Sequence, residues 1–364
     1  MSKGKKVDNM DEFQFKEVGL DFSKKTSSGA FFQEDLTIKE LVSFLDGIEI
    51  MSIQEAIKRY DWVLEYLGKP FEANLGMKIK VNLDDLTGYF IRSLPNTRVD
   101  LPVQICFYLK NVRRQKTYNM VVVEEGSQLN IISGCLSHRN ATGSHVGSTE
   151  YFIKRNAKLT FTMIHSWNQN VRAIPKSAAL VEDNATFISN YIVINPASHI
   201  KANPMACLNS NARATFNSII VGLKGSYIDL GVKVLLNGAG SCAEITSRAV
   251  SKGGNIIARG CIIGKAEKTR GHLDCKGLML SNHGQIHAIP ELEARNPHVE
   301  LSHEAAIGKI ADEEIFYLMT RGLSRDEATS IVVRGFMDVE IKGLPKVLRS
   351  AIKETLRLVE KSLF

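Results

Sequence analysis

Thiols, imidazoles and carboxylates crowd one stretch of the chain. Residues 272–304 hold five of the nine histidines (His272, His283, His287, His298, His303), together with Cys275, Glu291, Glu293, Glu300 and Glu304. Thiolate, imidazole and carboxylate form a donor set for iron or zinc, and the thiolate favours iron–sulfur chemistry. No compact motif of the HExxH kind is present, because His303-Glu304 has no second histidine four residues after the first. The bland alternative is a row of surface histidines. The six cysteines lie no closer than 14 residues apart, so CxxC chemistry is excluded. Free thiols, most of them buried as small apolar groups in a reducing compartment, are expected instead.

Two phosphate-loop lookalikes fail on inspection. Gly238-Ala-Gly-Ser-Cys-Ala243 fits a loose GxGxxA pattern, but the β-rich run after it and Gly253-Gly254 argue for a corner between strands. Gly260-Cys-Ile-Ile-Gly-Lys-Ala266 is one residue too short for a P-loop and has alanine where a hydroxyl must hold Mg²⁺. Nucleotide hydrolysis by this chain alone is therefore not expected. A net charge of +7 is spread without a basic block beyond residues 110–114, so nucleic acid is not an expected partner. No apolar run reaches the ~18–20 residues of a membrane span. Residues 1–13 are charged and lack an apolar signal core, which predicts a soluble, cytoplasmic protein.

The elements that must position these groups show two textures. The first ~75 residues predict helices by their periodicity. Ser52-Ile-Gln-Glu55 is a capping box, and Ala56, Ile57, Tyr60, Val63 and Tyr66 follow at helical spacing until Gly68-Lys-Pro70. From about 80 to 300, short runs of Val, Ile, Leu, Phe and Thr are punctuated by Gly or Asn. A corner unit begins at Gly126, Asn156, Asn184, Asn211, Gly225, Gly240 and Gly253, with a degenerate copy at His283. The offsets are 30, 28, 27, 14, 15, 13 and 30, clustering near 14 and its double. Gly and Asn tolerate the left-handed backbone of a tight corner, and regular corners between short strands are the mark of a solenoid. A β-sandwich is the alternative architecture. After Ser302 helices are expected again: Asp312–Arg321 stopped by Gly322, a second capping box at Ser324–Glu327, and a run from Pro345 through Val347, Leu348, Ile352, Leu356 and Val359.

At these residues the chain resembles the SufB/SufD family of iron–sulfur cluster assembly proteins over nearly its whole length. Val121-Val-Val-Glu-Glu-Gly-Ser127 with Gly134-Cys135, His165-Ser-Trp167, Lys176, Cys275-Lys-Gly-Leu-Met-Leu280, Ile289–Asn296, Ser302-His-Glu-Ala305 and Glu314–Ser324 carry the likeness. The resemblance implies a right-handed parallel β-helix with helical termini: an N-terminal helical region (1–80), a β-helix core (81–300) and a C-terminal helical region (301–364).

It also implies a function: a scaffold, not itself an enzyme, that builds a nascent iron–sulfur cluster with a SufC-type ABC ATPase. Sulfur, from a donor protein or sulfide, would arrive at Cys135 and pass His165, Trp167 and Lys176 towards Cys275. Cys275, His303 and Glu304 would hold the cluster before its release to apo iron–sulfur proteins. Ile315, Phe316, Ile331 and Val332 would offer the ATPase an apolar face. Departures from the pattern are His165 for the usual glutamine, Ser302 for a carboxylate, and the missing N-terminal cysteine cluster. Ser302-His303-Glu304 combines the donors of both family branches, which implies a homodimer through the β-helix. The rival readings are a purely structural SufD-like partner and a β-solenoid carbohydrate-active enzyme.

Overall fold

Asparagine and glycine turn the corners. Asn156, Asn184 and Asn211 have φ of 58°, 58° and 56°, and Gly126, Gly225, Gly240 and Gly253 also lie in the left-handed region. These are the first residues of the repeat unit, so its spacing is the spacing of solenoid turns. In the degenerate copy Gly284, not His283, takes the left-handed conformation. Between corners the chain of this computed structural model is mainly strand, wound into a parallel β-solenoid of about 8 turns. The structure describes residues 15–16, 18–21, 25–78, 81–83 and 86–337.

In chain order the elements are β1 (Gly29–Glu34), β2 (Thr37–Ser43), β3 (Ile48–Ser52), then the short helices α1 (Ile53–Arg59), α2 (Asp61–Tyr66) and α3 (Lys69–Leu75). The winding strands follow: β4 (Tyr89–Ser93), β5 (Val103–Leu109), β6 (Arg114–Val123), β7 (Gln128–Ser137), β8 (Gly143–Ile153), β9 (Lys158–Ser166), β10 (Val171–Ala173), β11 (Lys176–Val181) and β12 (Thr186–Asn195). Next come β13 (His199–Ala202), β14 (Met205–Leu208), β15 (Arg213–Leu223), β16 (Tyr227–Leu230), β17 (Lys233–Leu236), β18 (Cys242–Lys252), β19 (Asn255–Gly264), β20 (Arg270–Met279), β21 (Gln285–Ala294) and β22 (Glu300–Lys309). Two helices, α4 (Asp312–Met319) and α5 (Arg325–Met337), end the described chain.

Two sheets face one another across the core. One runs β2-β1-β5-β7-β9-β12-β15-β18-β20-β22; the other runs β10-β13-β16-β19-β17-β14-β11-β8-β6-β4-β3, with β21 added beside β19. Only β1–β2 and β3–β4 pair antiparallel among the described strands. Parallel in-register winding stacks like on like, so inward residues such as Ile131, Phe161, Phe216, Ile245 and Leu273 build one continuous core. Both lookalike loops fall inside this winding. Gly240 (φ 70°) is the corner between β17 and β18, and Gly260–Gly264 is part of β19.

The N-terminal reading needs correction. Residues 29–52 are not helical but form β1–β3. Phe31 points into the solenoid core, while Phe32 packs outside with Phe15 and Tyr108; alternate burial of neighbours is a strand's signature, not a helix's. The helical run after Ser52 is real, and Ser52 caps α1 by accepting from the Glu55 N–H at 3.1 Å. Tyr60 breaks it with an extended φ of −133°. Helices also return later than expected, because β22 carries Ser302, His303 and Glu304 and runs on to Lys309. The second capping box is reciprocal: Ser324 N–H donates to Glu327 Oε2 at 2.8 Å, and Glu327 N–H to Ser324 Oγ at 3.3 Å. The helix expected after Pro345 lies outside the described residues. No described helix is long and apolar enough to cross a membrane.

Candidate functional site

In-register stacking turns single inward positions into ladders that climb the solenoid. One ladder is Ser133, Met163, Tyr191, Ser218, Ser247, Cys275 and Ala305, on β7, β9, β12, β15, β18, β20 and β22. The next, two residues along each strand, begins with Cys135, His165, Val193 and Ile220. Cys135 and Cys275 both belong to the interior core, near opposite ends of it. Five strand spacings separate them, roughly 24 Å.

At the Cys135 end the groups are enclosed. Cys135 is fully buried, and burial pushes its thiol up to about 12, with the Ser133 hydroxyl pulling the other way. His165 is also fully buried and held down to about 3, first by burial and then by the neighbouring His145. The Trp167 Nε1–H donates to His165 Nδ1 at 2.7 Å. The imidazole proton therefore sits on Nε2, which meets no hydrogen-bond partner. His145, brought down to about 4 by burial, shares a 2.7 Å hydrogen bond between its Nδ1 and Gln115 Oε1. Lys176 opens β11 and is exposed, yet it helps line a cavity of about 30 Å³ that Cys135, His145, Tyr89, Tyr151 and Tyr191 also line. Cys135, His165, Trp167 and Lys176 thus gather in one neighbourhood. Sequence reasoning missed His145 and Tyr191, although Tyr191 stands seven residues after the corner Asn184, as Met163 does after Asn156.

At the other end the expected donors do not all converge. Cys275 is buried, and its thiol is pushed up to about 11 by burial and then by the Asp274 charge, against the pull of Arg248. His303 stands opposite Leu273, on the same inward face one strand beyond Cys275, where the solenoid ends and the residue is exposed. Glu304 takes the opposite face, since side chains alternate along a strand. There it lies 3.6 Å from Lys276, which also faces Asp274 at 3.6 Å, while Asp274 binds Arg248 at 2.6 Å. Cys275 and His303 share a face; Glu304 does not. Among the described residues no three His, Cys, Asp or Glu side chains are close enough to hold a metal ion.

The rest of the 272–304 region disperses over the surface. His272 Nδ1 pairs with Ser302 Oγ at 2.9 Å, and His283, His287 and His298 are exposed. Ser302-His303-Glu304 caps no helix, because α4 begins after Ala311. In the C-terminal hairpin Ile315 is buried at 3% exposure. The exposed apolar side chains there are Phe316, Tyr317 and Ile331, with Val332 half-buried.

Comparison with known proteins meets this geometry. Residues 108–336 match the family model for the SufBD core domain of the SUF system of FeS cluster assembly. An iron-sulfur cluster assembly SufBD family protein of Archaeoglobus fulgidus is 54% identical over 97% of this chain and 96% of its own length. A namesake from Methanothermobacter thermautotrophicus strain Delta H is 40% identical over 95% of this chain and 86% of its own. Another from Pyrococcus horikoshii is 32% identical over 86% and 71%. With a β-solenoid that encloses two thiols and a match covering nearly its full length, this chain belongs to the iron–sulfur cluster assembly SufBD family and is a component of that assembly.

Proposed function

We propose that the chain is the scaffold on which a nascent iron–sulfur cluster is built, with sulfur received at Cys135 and carried through the solenoid interior to Cys275. One observation carries this reading. Between the two buried thiols, His165 Nε2, the Tyr191 hydroxyl and the Ser247 hydroxyl are all buried without a hydrogen-bond partner. Each such group costs about 1–3 kcal/mol, so native proteins keep few of them. Strung along one inward face, they offer hydrogen-bond donors to a small anionic persulfide crossing the interior. The two thiols are too far apart to attack one another, so sulfide serves as carrier. It attacks the outer sulfur of the Cys135 persulfide, leaves as hydrogen disulfide anion, gives that sulfur to the Cys275 thiolate and returns as sulfide. Each attack forms one S–S bond and breaks another.

The cluster is the cargo of this site. Cys275 and His303 present thiolate and imidazole at the solenoid end, where β21 and β22 each pair on one side only. A second copy docked there by two-fold symmetry doubles this donor set and covers two open edges. Glu304, on the outer face, joins from the rim. A cluster held by few thiolates is labile, which suits a scaffold that must pass it to apo iron–sulfur proteins. The exposed Phe316, Tyr317 and Ile331, with the half-buried Val332 and the buried Ile315 on the same two helices, form the docking face for a SufC-type ATPase. Anaerobic reconstitution with ferrous iron and sulfide, read by absorption and Mössbauer spectra, tests the scaffold role. Cys275→Ala should lose nearly all bound cluster, while His303→Ala weakens binding with an unchanged melting temperature. Full iron content in Cys275→Ala would contradict the assignment.

A further inference from the structure

Cys135 is sealed from solvent, so sulfur must cross a wall to reach it. Strand pairing is interrupted at the corner where β10 gives way to β11 and β13 to β14, between Ala173–Ile200 and Ala178–Met205. Pro175 and Pro204, which line the inner cavity there, have no N–H to pair across the gap. Outside the same corner, between α3 and the solenoid, lies a groove of about 480 Å³. Lys176 lines both the groove and the inner cavity, so this residue is their shared wall. Phe71, Leu75 and Met205 give the groove an apolar floor, and Lys116 and Lys176 give it charge. No carboxylate is among its described lining residues. The inner cavity is hollow for a further reason. Gly147 has no left-handed φ to demand a glycine, yet a Cβ there would lie 3.1 Å from His145 Nε2 and 3.3 Å from Thr117 Oγ1. Thr117 Oγ1 is buried without a partner.

We propose that this groove is a binding site for an amino-acid-sized persulfide, cysteine persulfide in chemical class, whose terminal sulfur passes Lys176 to reach Cys135. The proposal rests on the reading of Cys135 as the sulfur acceptor and adds where the sulfur comes in and on what carrier. Size argues for it. A groove of about 480 Å³ is within the range of small-ligand sites, whereas a cavity of about 30 Å³ takes about one water-sized group. Charge agrees: two lysines suit a carboxylate and a persulfide anion together. The Cys135 sulfur attacks the terminal sulfur and forms a new S–S bond. The carrier's S–S bond breaks, cysteine thiolate leaves, and the Cys135 thiol proton goes with it. No oxidant or reductant is consumed.

The test uses the full chain and cysteine persulfide labelled with heavy sulfur, with loading of Cys135 followed by peptide mass spectrometry. Gly147→Val should slow loading at least tenfold, and Gly147→Ala by a smaller factor, in protein that keeps the native circular dichroism. Lys176→Gln should slow loading by the anionic persulfide several-fold while leaving the reaction of Cys135 with uncharged methyl methanethiosulfonate unaltered. Equal loading in Gly147→Ala, Gly147→Val and the native chain would overturn the port. So would persulfidated serum albumin loading Cys135 as fast as cysteine persulfide does. If loading follows Gly147 and Lys176 while Cys135→Ser still assembles clusters normally, the scaffold reading falls and the port stands. If loading ignores both positions while Cys135→Ser abolishes assembly, the port falls alone.

Discussion

The Trp167 indole and the His165 ring hold one another in a place where neither could stand alone. The indole N–H fixes the imidazole as its Nε2–H tautomer and leaves that N–H pointing at no acceptor. Trp167→Phe shrinks a core ring and strands the buried Nδ1, so denaturant unfolding should register a loss of at least about 1–3 kcal/mol. Adding His165→Phe to Trp167→Phe should cost little more, since removing both partners leaves no orphan. Additive losses in the double variant would show that the hydrogen bond is not what couples them. Cys135 and Cys275 are a different kind of residue pair, both raised thiols rather than ready nucleophiles. Their reactivity waits on a cation or a partner, which keeps sulfur from loading indiscriminately.

At the scale of elements, the corner residues decide the winding. Asn184 sits at φ 58°, where an alanine would lose roughly 1 kcal/mol and a glycine would not. Asn184→Ala should therefore lower stability by about that amount and Asn184→Gly by a few tenths, read from chemical unfolding. The corners were legible in the sequence because Asn and Gly announce them. The corner before β20 was not, since it uses Lys268 at φ 57°. With Lys268 recognised, Cys275 falls seven residues after its corner, as Tyr191, Ser218 and Ser247 do after theirs. The ladder behind Cys275 was thus written in the sequence but hidden by one atypical corner residue. Strands β1–β3 were illegible for another reason. The first of them, β1, buries Phe31 on one side and Phe32 on the other, so no simple apolar alternation marks it. The face of Glu304 was hidden because the expected β core stops at 300, and only a strand's period of two, carried on to Lys309, puts it opposite His303.

Over the whole molecule, buried ionisable groups give stability a definite pH profile. His145 and His165 are held down to about 4 and about 3, so the folded chain refuses protons that the unfolded chain accepts below 6.5. Their contribution is present above that value and lost on acidification, on the order of 1–2 kcal/mol each between pH 6.5 and 5. Glu150, which accepts from the Gly68 N–H at 2.8 Å, is pushed up to about 8 by burial and acts in the opposite sense. Its contribution is present below its ordinary 4.5 and lost as pH rises towards about 8. The native chain should gain only about 1 kcal/mol from pH 5 to 6.5, and Glu150→Gln about 3 kcal/mol. Between pH 6.5 and 8 the native chain should decline while Glu150→Gln stays flat. Parallel profiles from thermal melts would show that Glu150 is ionised in the fold.

The central claim is that sulfur travels inside the solenoid from Cys135 to Cys275. The most direct measurement follows heavy-sulfur persulfide at both cysteines over time by peptide mass spectrometry, in the native chain, Cys135→Ser, Tyr191→Phe and Ser247→Ala. The expected result is label at Cys135 first and Cys275 second, no label at Cys275 in Cys135→Ser, and a slowed second step with normal loading in the two hydroxyl variants. Label reaching Cys275 in Cys135→Ser at the native rate would contradict it.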